Sequence, residues 1–133
     1  ALDEVFIISI TLSILSDDQA IEFINYANEL KLDCIIEVHD EDELKRAIKL
    51  DYPVIGINNR NLKSLEINLN NSINLNQNLT NDYILIAESG IKTSDDIKKF
   101  NSTGIYNFLI GESLLKSKDK EKKIGELLLN ESY

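Results

Sequence analysis

Residues 34–61, CIIEVHDEDELKRAIKLDYPVIGINNRN, contain two short apolar runs separated by an amphipathic segment. The runs CIIEV and VIGI are rich in β-branched residues, which is typical of buried strands. In the segment between them, acidic residues come first and basic residues later, and Leu44, Ala47 and Ile48 share one face of a helix. A strand, a helix and a second strand in this order predict two parallel strands joined by a helical crossover.

The same alternation extends over the rest of the chain. Further strands are predicted at residues 5–12, 83–87 and 106–110. Further helices are predicted at residues 16–31, 93–100 and 118–129, with Thr93 or Ser94 as the N-cap of the second. Residues 68–81 are rich in asparagine, a poor helix former, but Leu69, Ile73 and Leu75 have the spacing of a helix face. The sequence therefore predicts five strand–helix units.

Apolar strands that alternate with amphipathic helices indicate an α/β fold in which helices cover a parallel sheet. Two architectures fit this pattern, an open doubly wound sheet or part of a (βα)8 barrel. The nucleotide-binding form of the doubly wound sheet predicts a GxGxxG loop after a strand, and the sequence contains none. In a barrel, functional residues lie in the loops after the C-terminal ends of the strands, so a site is expected at those ends.

Length and charge limit the classes of function. The 133 residues have room for a single domain, and the formal net charge of -9 disfavours nucleic acid and anionic membrane surfaces as partners. No apolar run reaches the roughly 18 residues of a membrane span. We therefore expect a cytoplasmic protein. The one cysteine, Cys34, lies in an apolar run and is predicted to be a core thiol rather than a nucleophile.

Polar residues stand at four of the predicted strand ends. Glu37 interrupts an apolar run, so it is either solvated at the strand tip or a group that transfers protons. His39 is expected to cap or support its neighbours. The third strand runs into Asn58, Asn59 and Arg60, for which an ordinary polar turn is the alternative. The last two strands end in Glu88, Ser89 and Gly90, and in Gly111, Glu112 and Ser113.

The glycines after the last two strands suggest how a phosphate could be held. Gly90 and Gly111 leave backbone N–H groups accessible, and such turns often bind phosphate in (βα)8 barrels. The carboxylate of Glu112 would repel a phosphate that it faced, so any contact there is expected from the backbone amide.

The motifs EVHDEDEL, IGINNRNLKSLEINL, IAESGI and FLIGESLL occur in this order and resemble indole-3-glycerol phosphate synthase over essentially the whole chain. That family is a (βα)8 barrel. Its enzymes close the ring of 1-(2-carboxyphenylamino)-1-deoxyribulose 5-phosphate, with loss of carbon dioxide and water, in tryptophan biosynthesis. The resemblance implies a carbon–carbon lyase with a sugar-phosphate substrate and no metal or organic cofactor.

The resemblance also implies a role for each matching residue. Glu37 matches a glutamate of the fifth barrel strand that acts in proton transfer. Asn58 matches an asparagine of the sixth strand that hydrogen-bonds the substrate, with Arg60 in support. Glu88 matches a glutamate of the seventh strand that faces the ribulose hydroxyls. The phosphate is expected next to Ser89, at Gly90, Gly111 and Glu112.

The first strand of this chain aligns with the fourth strand of the family barrel. In the family, the first three strands carry a glutamate and two lysines, one of which is the main general acid, and no residue here corresponds to them. We therefore expect residues 1–133 to be the C-terminal part of one barrel domain, without the N-terminal three βα units and inactive alone. The absence of methionine agrees with this expectation, although a removed initiator methionine would also explain it.

One consequence and two alternatives follow. A partial barrel exposes strand edges, which predicts a homo-oligomer formed through those edges. The chain could instead be a non-catalytic phosphate-binding half-barrel. It could also belong to another sugar-phosphate barrel such as phosphoribosylanthranilate isomerase, which shares the terminal phosphate turn but does not explain GINNRNL.

Overall fold

A computed structural model of the chain describes residues 6–80 and 82–128. Strands and helices alternate along it, in the order β1 (Ile7–Thr11), α1 (Asp17–Glu29), β2 (Asp33–Val38), α2 (Glu41–Leu50), β3 (Val54–Asn58), α3 (Asn70–Asn76), β4 (Ile84–Glu88), α4 (Ser94–Asn101), β5 (Asn107–Leu109), α5 (Glu112–Leu115) and α6 (Lys120–Leu128). The predicted α/β fold is therefore confirmed. Val5, the predicted start of the first strand, and Leu129, the predicted end of the last helix, lie outside the described residues.

The five strands form one parallel sheet in the order β1-β2-β3-β4-β5. Each strand lies beside the next one in the chain, without the reversal of strand order that defines a doubly wound sheet. This order is that of consecutive strands in a (βα)8 barrel, so the structure decides between the two architectures that the hydrophobic pattern left open.

Alternate residues of the strands face opposite sides of the sheet. One face packs against the helices: Ile36 and Val38 of β2 and Ile55 and Ile57 of β3 are buried in one cluster that includes helix residues such as Leu44. At the far end of the sheet, the rings of Phe100 and Phe108 pack with their centroids 5.7 Å apart. The buried Cys34 belongs to the same core, and its burial raises the pKa of the thiol, as expected for a structural cysteine.

The other face carries the side chains of the intervening strand residues, and these include the polar residues Ser9, Glu37 and Asn58. It is left uncovered by the described helices, and large apolar side chains on it are exposed, namely Ile7, Ile84 and Leu109. In a closed barrel this face would be the interior. The candidate site residues Glu37, Asn58 and Glu88 therefore lie on this uncovered face, at the C-terminal ends of their strands.

Helix boundaries agree with the capping residues in the sequence. Ser16 and Thr93 each form a capping box, with Gln19 and Asp96 respectively, so Thr93 rather than Ser94 is the N-cap of α4. The asparagine-rich segment does form a helix, α3. Two details differ from the prediction. The single-turn helix α5 precedes the predicted helix at 118–129 as a separate element, and β5 is shorter than the apolar run at 106–110. Within the described residues, no helix is both long and apolar enough to cross a membrane.

Candidate active site

Glu37 lies at the C-terminal end of β2, on the uncovered face of the sheet. The hydroxyl of Ser9 on β1 donates to its Oε2 at 3.0 Å, and the side-chain amide of Asn58 on β3 donates to its Oε1 at 3.1 Å. Both donors stand on strands adjacent to β2. The carboxylate is thus held from both sides while remaining partly accessible, with 14% of its side chain exposed.

Glu88 is the end residue of β4 and is almost completely buried, at 3% exposure. Its carboxyl group occupies the space above Gly56 of β3, where any larger residue would overlap Oε1. That oxygen has no hydrogen-bond partner among residues 6–80 and 82–128. Burial, and after it the negative charge of Glu37, raise the pKa of Glu88 to about 7. A carboxyl group in this state can both give and accept a proton near neutral pH.

Asn58 and Asn59 are neighbours in sequence with different partners. Asn58 faces Glu37, and its Oδ1 accepts a hydrogen bond from the backbone N–H of Arg60 at 3.0 Å. Asn59 is buried at 2% exposure, where its Oδ1 accepts from the hydroxyl of Ser72 at 2.8 Å and its Nδ2 donates to the carbonyl of Ser89 at 3.2 Å. Asn58 is therefore available to a ligand, whereas Asn59 ties α3 and the end of β4 to β3.

His39 was expected only to cap or support its neighbours, but its ring lies in the site. Its ring lies between two carboxylates, with Nδ1 3.1 Å from Glu43 Oε2 and Nε2 3.3 Å from Glu37 Oε1. The sequence signal that could have placed His39 in the site was its spacing from two acids: Glu37 is two residues before it, and Glu43 is four residues after it. That spacing places all three at the exit of β2 and the first turn of α2.

Arg60 and Glu112 connect the exits of β3 and β5. A guanidinium nitrogen of Arg60 lies 2.6 Å from Glu112 Oε2, and Lys116 Nζ donates to the other carboxylate oxygen. Hydrogen bonding to Lys116, and then to Arg60, lowers the pKa of Glu112. The structure thus turns the Glu112 side chain toward two cations, and Arg60, although hydrogen-bonded through its backbone to Asn58, extends its side chain toward β5.

A cavity of about 230 Å³ lies between the ends of β4 and β5. Its lining includes Arg60, Ser89, Gly90, Lys92 and Gly111, which brings the predicted phosphate-binding residues together. Ser89 and Gly90 have φ angles of 67° and 83°, a left-handed pair that turns the backbone sharply after β4. A side chain at Gly90 would overlap Ile67, whereas the position above Gly111 is open.

A second cavity, of about 440 Å³, adjoins Asn58 on the other side. Its lining includes His39, Glu43, Asn58, Arg60 and Lys63. In the part of the chain that the structure describes, no cluster of three His, Cys, Asp or Glu side chains is arranged to hold a metal ion. The side chains around this cavity offer carboxyl, amide, imidazole, ammonium and guanidinium groups.

The fold and the position of these groups define a class of protein: part of a (βα)8-barrel protein whose site lies at the C-terminal ends of the strands. The sequence model of the indole-3-glycerol phosphate synthase family matches residues 3–127. The chain belongs to the indole-3-glycerol phosphate synthase family, which confirms the resemblance of its motifs.

Sequence similarity to individual enzymes supports the same family. The indole-3-glycerol phosphate synthase of Legionella pneumophila (strain Paris) is 43% identical over 121 residues, which cover 91% of this chain and 47% of the relative. That of Acetivibrio thermocellus is 40% identical over 119 residues, covering 90% of this chain and 46% of the relative. The chain thus spans about half the length of the relatives it matches.

Solved structures show the same arrangement of strands and helices at low sequence identity. Thiamine phosphate pyrophosphorylase from Pyrococcus furiosus matches with a TM-score of 0.66 and 16% identity, over 90% of this chain and 55% of that one. Mandelate oxidase with benzoyl-formic acid matches with a TM-score of 0.62 and 14% identity, over 86% of this chain and 35% of that one. These matches concern the fold alone.

Proposed function

We propose that this chain forms the C-terminal half of an indole-3-glycerol phosphate synthase active site. The substrate would be 1-(2-carboxyphenylamino)-1-deoxyribulose 5-phosphate, and the product indole-3-glycerol phosphate. The observation that carries the proposal is the meeting of Glu37, Asn58 and Glu88 at three adjacent strand ends, on the sheet face that would line a barrel. Chains of this family act in a biosynthetic pathway, so we propose a cytoplasmic location.

Glu37 is proposed to transfer protons during ring closure and dehydration. Its two oxygens are already oriented by Ser9 and Asn58, so the carboxylate loses little freedom when a substrate binds. Asn58 uses one amide hydrogen for Glu37 and retains another for a substrate oxygen.

Glu88 is proposed to contact the hydroxyls of the ribulose chain. Its Oε1 is buried with no hydrogen bond to the described residues, and a substrate hydroxyl would supply one. Its pKa of about 7 lets the group either accept or donate that hydrogen bond. Gly56 keeps the space for this carboxyl group, which explains a glycine in the middle of a central strand.

The phosphate is proposed to occupy the cavity between β4 and β5, next to Ser89. The backbone at Gly90, Gly111 and Glu112 would provide N–H donors, and Arg60 and Lys92 would provide positive charge. Binding would require the Arg60 guanidinium to exchange part of its contact with Glu112 for the phosphate, because the two now form an ion pair.

The chain alone is proposed to be inactive. Within the described residues no lysine forms an ion pair with Glu37, and Lys63, which lines the neighbouring cavity, is exposed in the loop after β3, so no described lysine is placed as its general acid. One positioned proton donor contributes roughly 10²–10⁴-fold to rate. A turnover assay with the carboxyphenylamino substrate should therefore give no product, and measurable turnover by this chain alone would contradict the proposal of inactivity.

Complementation tests the proposal as a whole. The N-terminal part of the Legionella pneumophila relative, which carries the first three βα units, is added to this chain, and turnover is expected to appear. In the mixture, Glu37→Gln should lower kcat by roughly 10²–10⁴-fold because it removes the proton-transfer group. Glu22→Gln, on the exposed surface of α1, is the matched control and should leave kcat unchanged. Full turnover with Glu37→Gln would refute the assigned role.

A binding experiment distinguishes the proposed synthase from the alternative, a phosphate-binding half-barrel. Indole-3-glycerol phosphate and inorganic phosphate are each added to the ¹⁵N-labelled chain. Amide shifts at Ser89, Gly90 and Gly111 with both ligands support the phosphate site. Shifts that extend to Asn58 only with the indole compound support the synthase, whereas shifts confined to the glycines with both ligands favour a phosphate-binding module.

A further inference from the structure

Three side chains form a continuous row at the exit of β2. The ring of His39 stands between Glu43 on α2 and Glu37 on β2. All three are largely removed from solvent, with side-chain exposures of 11%, 13% and 14% for His39, Glu43 and Glu37 respectively. Low exposure strengthens electrostatic contacts and limits the alternative positions that each side chain can adopt.

Glu43 is fixed by the start of α2. Asp40 is the N-cap of this helix, and its side chain accepts a hydrogen bond from the backbone N–H of Glu43 at 2.8 Å. In return, Glu43 Oε2 accepts from the backbone N–H of His39 at 2.8 Å and lies 3.1 Å from ring Nδ1. One carboxylate oxygen therefore holds both the backbone and the ring of His39, as in a capping box displaced by one residue.

The backbone of His39 is held on its other side as well. The amide of Asn71 on α3 donates to the carbonyl of His39 at 2.9 Å and to the carbonyl of Asn58 at 3.1 Å. This bridge fixes the separation of the two strand exits on which His39 and Asn58 stand. The ring of His39 thus has a defined position relative to Asn58, which donates to the same carboxylate of Glu37.

The free side of the ring faces the proposed base. Nε2 of His39 is buried and forms no hydrogen bond with the described residues, and Glu37 Oε1 lies 3.3 Å from it. An unpaired buried polar atom is costly, and a small rotation of the Glu37 carboxylate would complete a hydrogen bond. Since Asn58 already donates to the same oxygen, His39 and Asn58 together restrict how Glu37 can turn.

We propose that His39 is a positioning residue for Glu37, and that Glu43 acts through the His39 ring to hold the orientation of the Glu37 carboxylate. This role rests on the function proposed for Glu37. The competing explanation is that His39 only completes the capping of α2, in which case Glu43 and Glu37 are independent of each other.

His39 is the only histidine in the chain, so its two ring nitrogens can be assigned by NMR without ambiguity. Glu43→Gln should shift the Nδ1 resonance, and Glu37→Gln should shift the Nε2 resonance. Glu41→Gln is the matched control, because Glu41 lies in the same first turn of α2 but points its carboxylate to Lys45 in solvent. It should shift neither nitrogen.

The decisive measurement is the side-chain carboxyl carbon resonance of Glu37. Glu43→Gln should shift it in the parent chain and leave it unchanged when His39→Phe is already present, as in a double-mutant cycle. His39→Gln retains an amide donor and should keep the Glu37 resonance closer to the parent than His39→Phe does. Circular dichroism of each variant verifies that the fold is retained, and His39→Leu, which also lacks a donor, replaces His39→Phe in the cycle if that variant fails to fold.

The proposal is overturned if Glu43→Gln leaves the Glu37 resonance unchanged in the parent chain. It is also overturned if the shift persists unchanged without the His39 ring. These measurements need neither substrate nor the N-terminal half of a relative. A failed complementation would therefore refute the synthase function while leaving the coupling intact, and absent coupling would refute the role of His39 while complementation could still succeed.

Discussion

At the scale of single residues, Glu88 makes the stability of the chain depend on pH. Its pKa is raised from 4.5 to about 7, so across that interval the folded chain retains a proton that the unfolded chain releases. The free energy of unfolding therefore falls as pH rises through the interval and levels off above it, by at most about 3 kcal/mol. Urea unfolding at about pH 5 and about pH 8 should show this loss, and Glu88→Gln should remove it.

The control for this prediction is Glu22→Gln, an exposed substitution that should retain the full pH dependence. An equal loss of stability with and without Glu88 would contradict the assignment.

The sequence identified Glu88 as an acid at the end of an apolar strand. It could not identify Gly56 as the residue that accommodates it, because that contact depends on the register in which Asn58 pairs with Glu88.

At the scale of elements, α3 is held by buried polar contacts rather than by a cap of its own. Its N-cap residue makes no side-chain hydrogen bond, but Asn59 Oδ1 accepts from both the backbone N–H and the hydroxyl of Ser72. Asn59→Ala removes the partner of the buried backbone N–H of Ser72 and of the Ser89 carbonyl, and each unpaired group costs about 1–3 kcal/mol, whereas the Ser72 hydroxyl can still donate to the carbonyl of Ile57. We expect the free energy of unfolding, measured with urea, to fall by about 2–4 kcal/mol.

Asn74→Ala is the matched control, since Asn74 lies exposed on the same helix and alanine is the better helix former. This variant should be neutral or slightly stabilising, and an equal loss of stability in both variants would refute the role of Asn59.

The spacing of Leu69, Ile73 and Leu75 was enough to predict helix α3. The hydrogen bonds that hold α3 could not be predicted, because they join residues that only the fold brings together. The helix α5 could not be predicted either, because a single turn is too short to show a periodic pattern.

At the scale of the whole molecule, the alternation of strands and helices predicted parallel strands but left their order open. Consecutive parallel strands joined by helical crossovers tend to lie side by side, and the five strands here do so. The hydrophobic pattern could not distinguish a barrel from an open doubly wound sheet. In both folds the parallel strands are buried and apolar and alternate with amphipathic helices, so the two give the same pattern. The motifs at the strand ends made that distinction, and the strand order in the structure agrees with them.

The open sheet should make the chain self-associate. Among the described residues, β1 and β5 each pair with one strand only, and Ile7 and Leu109 are exposed on the uncovered face. Unpaired edges and exposed apolar side chains favour addition of a second copy. Sedimentation velocity should therefore show a dimer or larger species whose fraction rises with concentration.

Ile7→Lys places a charge on the edge strand β1 and should shift the distribution toward monomer, because burying the ammonium group in a strand–strand contact is costly. Leu65→Lys makes the same change of charge on an exposed side chain in the loop after the central strand β3, away from both edges, and should leave the distribution unchanged. A parent chain that stays monomeric at every concentration would contradict association through the edges. Equal dissociation by both variants would instead attribute the effect to net charge.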